Sequence, residues 1–140
     1  MRLESEFVQS SVSRNRKKGT IRGMHYQDKP CEEIKIVRCI KGKIFDVIID
    51  LRTNSKTFKE WFSVELSGDN YKMLYIPKGF AHGFQTLEDN TEVFYQISEY
   101  HNSKFSKGIR WDDKTFQIKW PLELSIISKK DISNPNFHKN

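Results

Sequence analysis

The chain has 140 residues, 36% hydrophobic and 13% aromatic, which suits one domain, residues 1–140, with a core filled largely by rings. Its formal net charge is +6, but acidic residues share the same segments. The one dense basic cluster, Arg14-Asn15-Arg16-Lys17-Lys18, has no interleaved aromatics, so it reads as a solvated loop and nucleic acid is set aside as a partner. No run reaches the ~18–20 apolar residues of a membrane span, and residues 1–6 lack the apolar centre of a secretory leader; a cytoplasmic location with no membrane partner is expected.

Along the chain the dominant hydrophobic period is two. A strand is expected from about Phe7, and another over the run Ile21-Arg22-Gly23-Met24-His25-Tyr26-Gln27. Residues 34–40 follow, with Lys35, Val37 and Cys39 on one side. Next, Phe45, Val47, Ile49 and Leu51 share a face opposite Asp46 and Asp50. Phe62, Val64 and Leu66 alternate with Trp61, Ser63 and Glu65. Residues 73–76 form a short apolar run closed by Pro77, and Val93, Tyr95 and Ile97 alternate with Phe94, Gln96 and Ser98. Gly- and Asn-containing turns at 41–43, 67–70, 77–79 and 88–90 separate these runs. The pattern predicts an all-β, antiparallel sandwich or barrel. Residues 122–131 have room for a short helical turn, and the tail from 133 to 140 is expected to fray. Cys31 and Cys39 share no metal or disulfide spacing and are expected to be reduced and unreactive.

Chemistry concentrates on His25 and Lys35. An imidazole and an ammonium on neighbouring strands of one cavity could share an enolisation, the first taking a proton beside a carbonyl and the second holding the oxyanion. Lys35 lies between Ile34 and Ile36, where burying an unpaired ammonium is costly; either it has an anionic or polar client, or its stem lies on the sheet and its head reaches water. Tyr95 shares a face with Val93 and Ile97, so its phenol should point inward. Asp131 reads from the sequence alone as an exposed cap or loop carboxylate. His82, in Ile76-Pro77-Lys78-Gly79-Phe80-Ala81-His82-Gly83-Phe84, is expected near the sheet rim. Pro-x-Gly-x-x-His resembles the second motif of metal-binding cupins. Those proteins also need a His-x-His and a Glu from an earlier strand, whereas this chain offers Tyr26, Gln27 and Lys35. No metal site is expected.

Phe7-Val8-Gln9, Arg22-Gly23-Met24-His25-Tyr26-Gln27, Lys35-Ile36-Val37-Arg38, the run from Phe45 to Arg52, Ser55-Lys56-Thr57-Phe58, the His82 segment, Trp111-Asp112-Asp113 and Ile118-Lys119-Trp120-Pro121 occur in order. This series resembles the dTDP-4-dehydrorhamnose 3,5-epimerase family over roughly residues 7–131. The resemblance implies a cupin-type jelly roll that, without a metal or redox cofactor, epimerises a nucleotide-diphosphate sugar of the 4-keto-6-deoxy type at C3, C5 or both. It further implies a homodimer in deoxysugar biosynthesis for cell-surface polysaccharide. By the same resemblance His25 is the base, Asp131 the carboxylate that orients it, Lys35 the enolate stabiliser and Tyr95 the acid. Gln9, Arg22 and Lys130 match nucleotide-side contacts, and His82 lines the pocket. His101 stands where the family often has a second tyrosine, Glu33 where Gln is usual and Ser11 where Asn is common. The family's N-terminal strands, which pair across a dimer, precede the matching region and have no counterpart here. Two other classes stay open: a binding or assembly subunit with weakened catalysis, and a metal-dependent cupin isomerase, which Lys35 disfavours.

Overall fold

The computed structural model describes Leu3 and residues 6–138. Among them, the period-two segments form β1 (Gln9–Asn15), β2 (Ile21–Gln27), β3 (Lys35–Lys41), β4 (Lys43–Asp50), β5 (Trp61–Ser67), β6 (Met73–Ile76), β7 (Phe80–Thr86), β8 (Thr91–Ile97) and β9 (Ser106–Gly108). One short helix, α1 (Lys129–Ile132), follows, largely inside the window expected for a helical turn. The strands make two antiparallel sheets, β1-β8-β3-β6 and β5-β4-β7-β2-β9. Most neighbours are distant in sequence, as in the expected cupin-type jelly roll. The reading of residues 1–6 falls largely on Met1, Arg2, Glu4 and Ser5, which lie outside the described residues, as do Lys139 and Asn140 of the tail.

Between the sheets, Val37, Cys39, Ile44, Leu66, Ile76, Phe84 and Val93 form a buried core. Side chains of this size contribute ~1.5–3 kcal/mol each when fully buried. The same burial pushes the Cys39 thiol up to about 11, which fits an unreactive cysteine.

The five-stranded sheet is covered on its other face too. Phe45, Val47 and Ile49 do not look toward the second sheet; they pack with Met24 and Ala81 beneath Ile109, Phe116, Ile118, Trp120 and Phe137. The inter-sheet side of β4 carries Ile44 and Ile48 with Asp46 between them. The C-terminal coat is pinned by polar contacts: Trp120 Nε1 donates to the Trp111 carbonyl at 2.8 Å, and the Phe137 amide donates to Asp113 Oδ2 at 2.6 Å. The tail therefore does not fray over its described part, because Phe137 is anchored there as an apolar plug between Phe58 and Phe116.

Two sequence features take on structural roles. Asp50, fully buried at the end of β4, accepts from the Arg52 guanidinium at 2.9 Å and from the Ser55 and Thr57 hydroxyls at 2.6 Å each. The Ser-x-Thr motif thus ties down the loop after β4 rather than serving a site. The basic cluster is only partly a loop: Arg14 and Asn15 belong to β1, and Asn15 is buried because its side chain is engaged by Arg22.

Candidate active site

The site begins with an irregularity in β2. Arg22 opposes Phe84 of β7, but His25 opposes His82, so the register slips by one between them. Residues three apart on a regular strand project to opposite faces; the bulge returns Arg22 and His25 to the same face, where both border one cavity. Met24 and Tyr26 turn the other way, into the outer core. Glycine makes the close approach possible: a Cβ on Gly23, whose φ is 120°, would lie 2.7 Å from the Gly83 Cα and 2.8 Å from the His82 carbonyl.

His25 Nε2 lies 2.5 Å from Asp131 Oδ1. Asp131 is buried in α1, its own amide donates to the N-cap hydroxyl of Ser128, and its Oδ2 accepts from the Gly23 amide at 3.1 Å. Burial opposes its ionisation, but the hydrogen bond and charge of His25, the Gly23 amide and Ser128 hold the carboxyl below the usual range. An ionised carboxylate only accepts, so Nε2 carries the proton and Nδ1 keeps the free lone pair. The expectation of an exposed Asp131 is thus corrected: α1 folds it under the sheet as the partner of His25.

Lys35 starts β3. Its ammonium is 2.9 Å from Glu33 Oε1, and the two side chains are only 11% and 13% exposed. The reading in which its head reaches water does not hold; its client is a carboxylate two residues earlier. Lys35 and Glu33 border the same cavity as His25.

Tyr95 enters from the facing sheet, on β8. Its phenol is pushed far up, first by burial and next by the Asp46 carboxylate, while Arg22 and the Ser13 hydroxyl pull the other way; it is protonated at neutral pH. The ring meets His82 edge-on at 6.1 Å between centroids. His82 is not at the rim. It is buried on the middle strand of its sheet, with Nε2 2.7 Å from Asp46 Oδ1, because Asp46 on the adjacent β4 supplies a partner deep inside.

Gln9, His101 and Lys130 join His25 and Lys35 around a cavity of about 350 Å³. Arg22, His82 and Tyr95 border an adjoining lobe of about 280 Å³ that shares His25 and Lys35. All nine residues singled out from the sequence therefore converge, eight on the cavity walls and Asp131 behind His25. Sequence reasoning missed Asp46 as the partner of His82, and missed Ser13 and Asn15 beside Tyr95 and Arg22. The period-two pattern had placed Asp46 on the polar side of β4, which was the available signal. Among the described residues no three His, Cys, Asp or Glu side chains group as a cation site, and no helix is long and apolar enough to cross a membrane.

Fold and site together define a cupin-type jelly roll with acid–base groups on facing walls of a polar cavity. The sequence profile of the dTDP-4-dehydrorhamnose 3,5-epimerase family matches residues 1–139. The chain belongs to that family. It is 43% identical over 132 residues to the dTDP-4-dehydrorhamnose 3,5-epimerase of Shigella flexneri, covering 94% of this chain and 72% of that protein. The Bacillus anthracis enzyme of the same name, crystallised with TDP and PPi bound, superposes with a TM-score of 0.94 at 44% identity, over 96% of this chain and 77% of that one. A Legionella pneumophila dTDP-6-deoxy-D-glucose-3,5-epimerase in complex with dTDP-4-keto-L-rhamnose gives 0.90 at 38% identity, over 96% and 71%.

Proposed function

We propose that this protein epimerises a dTDP-linked 4-keto-6-deoxy sugar at C3, C5 or both through an enolate, as part of rhamnose-type deoxysugar biosynthesis. The observation that supports this reading is the arrangement of His25 and Tyr95 on opposite sheets of one cavity, with Lys35 bordering both lobes. The C4 ketone acidifies the hydrogens on C3 and C5. His25 Nδ1 takes one of them, Asp131 stabilises the imidazolium that forms, and Lys35 meets the charge growing on the C4 oxygen. Tyr95 returns a proton to the other face of the planar carbon, which inverts the centre. Arg22, Gln9 and Lys130 bind the nucleotide diphosphate, while His82 and His101 shape the sugar end.

The reaction as drawn needs no metal or redox cofactor. We also read the protein as a cytoplasmic homodimer serving cell-surface polysaccharide synthesis. The dimer is supported by β1, which among the described residues pairs only with β8 and leaves Val8 and Val12 exposed.

The test is incubation with dTDP-4-keto-6-deoxyglucose in heavy water, followed by proton NMR. Deuterium should enter C3 or C5, and chelator should not stop it. Nucleotide binding without deuterium entry would indicate a binding subunit, and chelator-sensitive activity restored by metal would indicate a metal-dependent isomerase; either result overturns the proposal.

A further inference from the structure

Asn15 closes β1, and its side chain is buried. Its Oδ1 accepts from Arg22 Nε at 2.6 Å. Its Nδ2 donates to Ser13 Oγ, the Ser13 carbonyl and the Thr91 carbonyl, each at 3.3 Å. A guanidinium has only donors, so the amide atom that meets it must be the oxygen, and the NH₂ group must face Ser13. Ser13 Oγ then accepts from Asn15, which leaves its own hydrogen to point elsewhere. The Tyr95 phenol, diagonal to Ser13 on the neighbouring strand β8 and bordering the same lobe, is where that hydrogen is directed in this reading. A phenol oxygen that accepts from Ser13 keeps its own hydrogen for a third group.

We infer that Asn15 is a positioning residue: it sets the direction of the hydrogen-bond chain Arg22–Asn15–Ser13–Tyr95 so that Tyr95 presents its proton to the sugar. This deepens the proposed function and rests on it. In the step served, the Tyr95 O–H bond breaks and a C–H bond forms at the enolate carbon. The phenolate left behind takes the Ser13 hydrogen bond, and His25 holds the proton removed from the other face. Imidazolium and phenolate then exchange one proton through solvent, which restores both groups. Arg22, held by the same amide, ties the nucleotide end of the site to the acid.

The experiment compares Asn15→Asp and Asn15→Ser with the unaltered protein on dTDP-4-keto-6-deoxyglucose in heavy water, reading epimer formed per deuterium incorporated. A carboxylate at 15 accepts from both Arg22 and Ser13, draws the Ser13 hydrogen away and turns the phenol hydrogen toward Ser13. Deuterium entry through His25 should continue while the ratio falls about 10–100-fold, the scale of one lost hydrogen bond to a developing charge. Serine can accept from Arg22 and donate to Ser13, so its ratio should stay near that of the unaltered protein. An unchanged ratio in Asn15→Asp, an equal fall in both variants, or a change confined to KM overturns the inference. Should Asn15→Asp fail to fold by circular dichroism, Ser13→Ala carries the same reading: a fall supports the inference and an unchanged ratio overturns it. An unaltered protein that neither incorporates deuterium nor forms epimer refutes the proposed function instead, and is distinguishable on that ground.

Discussion

Asp131→Asn probes the pair at the centre of the site with almost no change of shape. The two carboxylate oxygens have separate duties, Oδ1 toward His25 Nε2 at 2.5 Å and Oδ2 toward the Gly23 amide at 3.1 Å. An asparagine cannot serve both. If its oxygen keeps the Gly23 amide, its NH₂ faces Nε2, which must then accept, and the imidazole proton moves to Nδ1 where the free lone pair is needed. If the amide flips, an NH₂ is set against the Gly23 N–H inside the protein. The second arrangement strands a buried donor at ~1–3 kcal/mol, so the first prevails and the base is lost. General-base catalysis is worth ~10²–10⁴-fold, and kcat should fall by about that range. KM should change little, since Asp131 sits behind His25 and does not border the cavity. Deuterium entry at saturating substrate, followed by proton NMR, measures the rate. His25→Asn should lose a comparable amount, and the double variant no more than either single one, because the two side chains act as a unit. A near-normal rate in Asp131→Asn, or losses that multiply in the double variant, would refute the reasoning.

Removal of His82 tests the second buried pair. In His82→Leu the Asp46 side chain keeps no partner at Oδ1 and has none at Oδ2, so unfolding in urea should show a loss of ~3–5 kcal/mol; a variant as stable as the parent would contradict a structural role for the pair. Stability should also depend on acid in one direction. The Asp50 carboxyl is held well below the usual range by the Arg52 guanidinium and the Ser55 and Thr57 hydroxyls against the opposing effect of burial, and Asp131 is lowered too. Carboxyls lowered in the folded state contribute stability that is complete above the unfolded value of ~3.9 and is lost as pH falls toward the folded one. The urea midpoint should hold steady from neutral pH to about 5 and drop below about 4, less steeply in Asp50→Asn; a midpoint that rises in acid would contradict the assignment.

The architecture was legible because strands alternate side chains every two residues, and nearly every expected run became a strand. Which face of a strand met which layer was not. On β4 both faces are covered, and the alternation that grouped Phe45, Val47 and Ile49 did not say that the layer over them is the C-terminal coat. Local sequence could not reveal that coat, since Phe116, Ile118 and Trp120 alternate as in a strand yet form none, and Phe137 joins them from much further along the chain. Candidate site residues were recoverable through family motifs, but their pairings were not. Asp131 meets His25 across 106 positions and His82 meets Asp46 across 36, distances at which only the finished topology brings groups together. The bulge between Arg22 and His25 was equally hidden, because a one-residue slip leaves no mark beyond two glycines on different strands.

The central claim is that one sugar ring touches His25 and Lys35 at once. A crystal structure with an unreactive dTDP-linked 6-deoxy sugar would test it most directly. The account predicts the diphosphate beside Arg22, the C4 oxygen within hydrogen-bond reach of Lys35 Nζ, and C3 or C5 about 3–3.5 Å from His25 Nδ1, the separation of a reacting pair. A sugar bound elsewhere, or seated with His25 and Lys35 unable to reach the same ring, would contradict it.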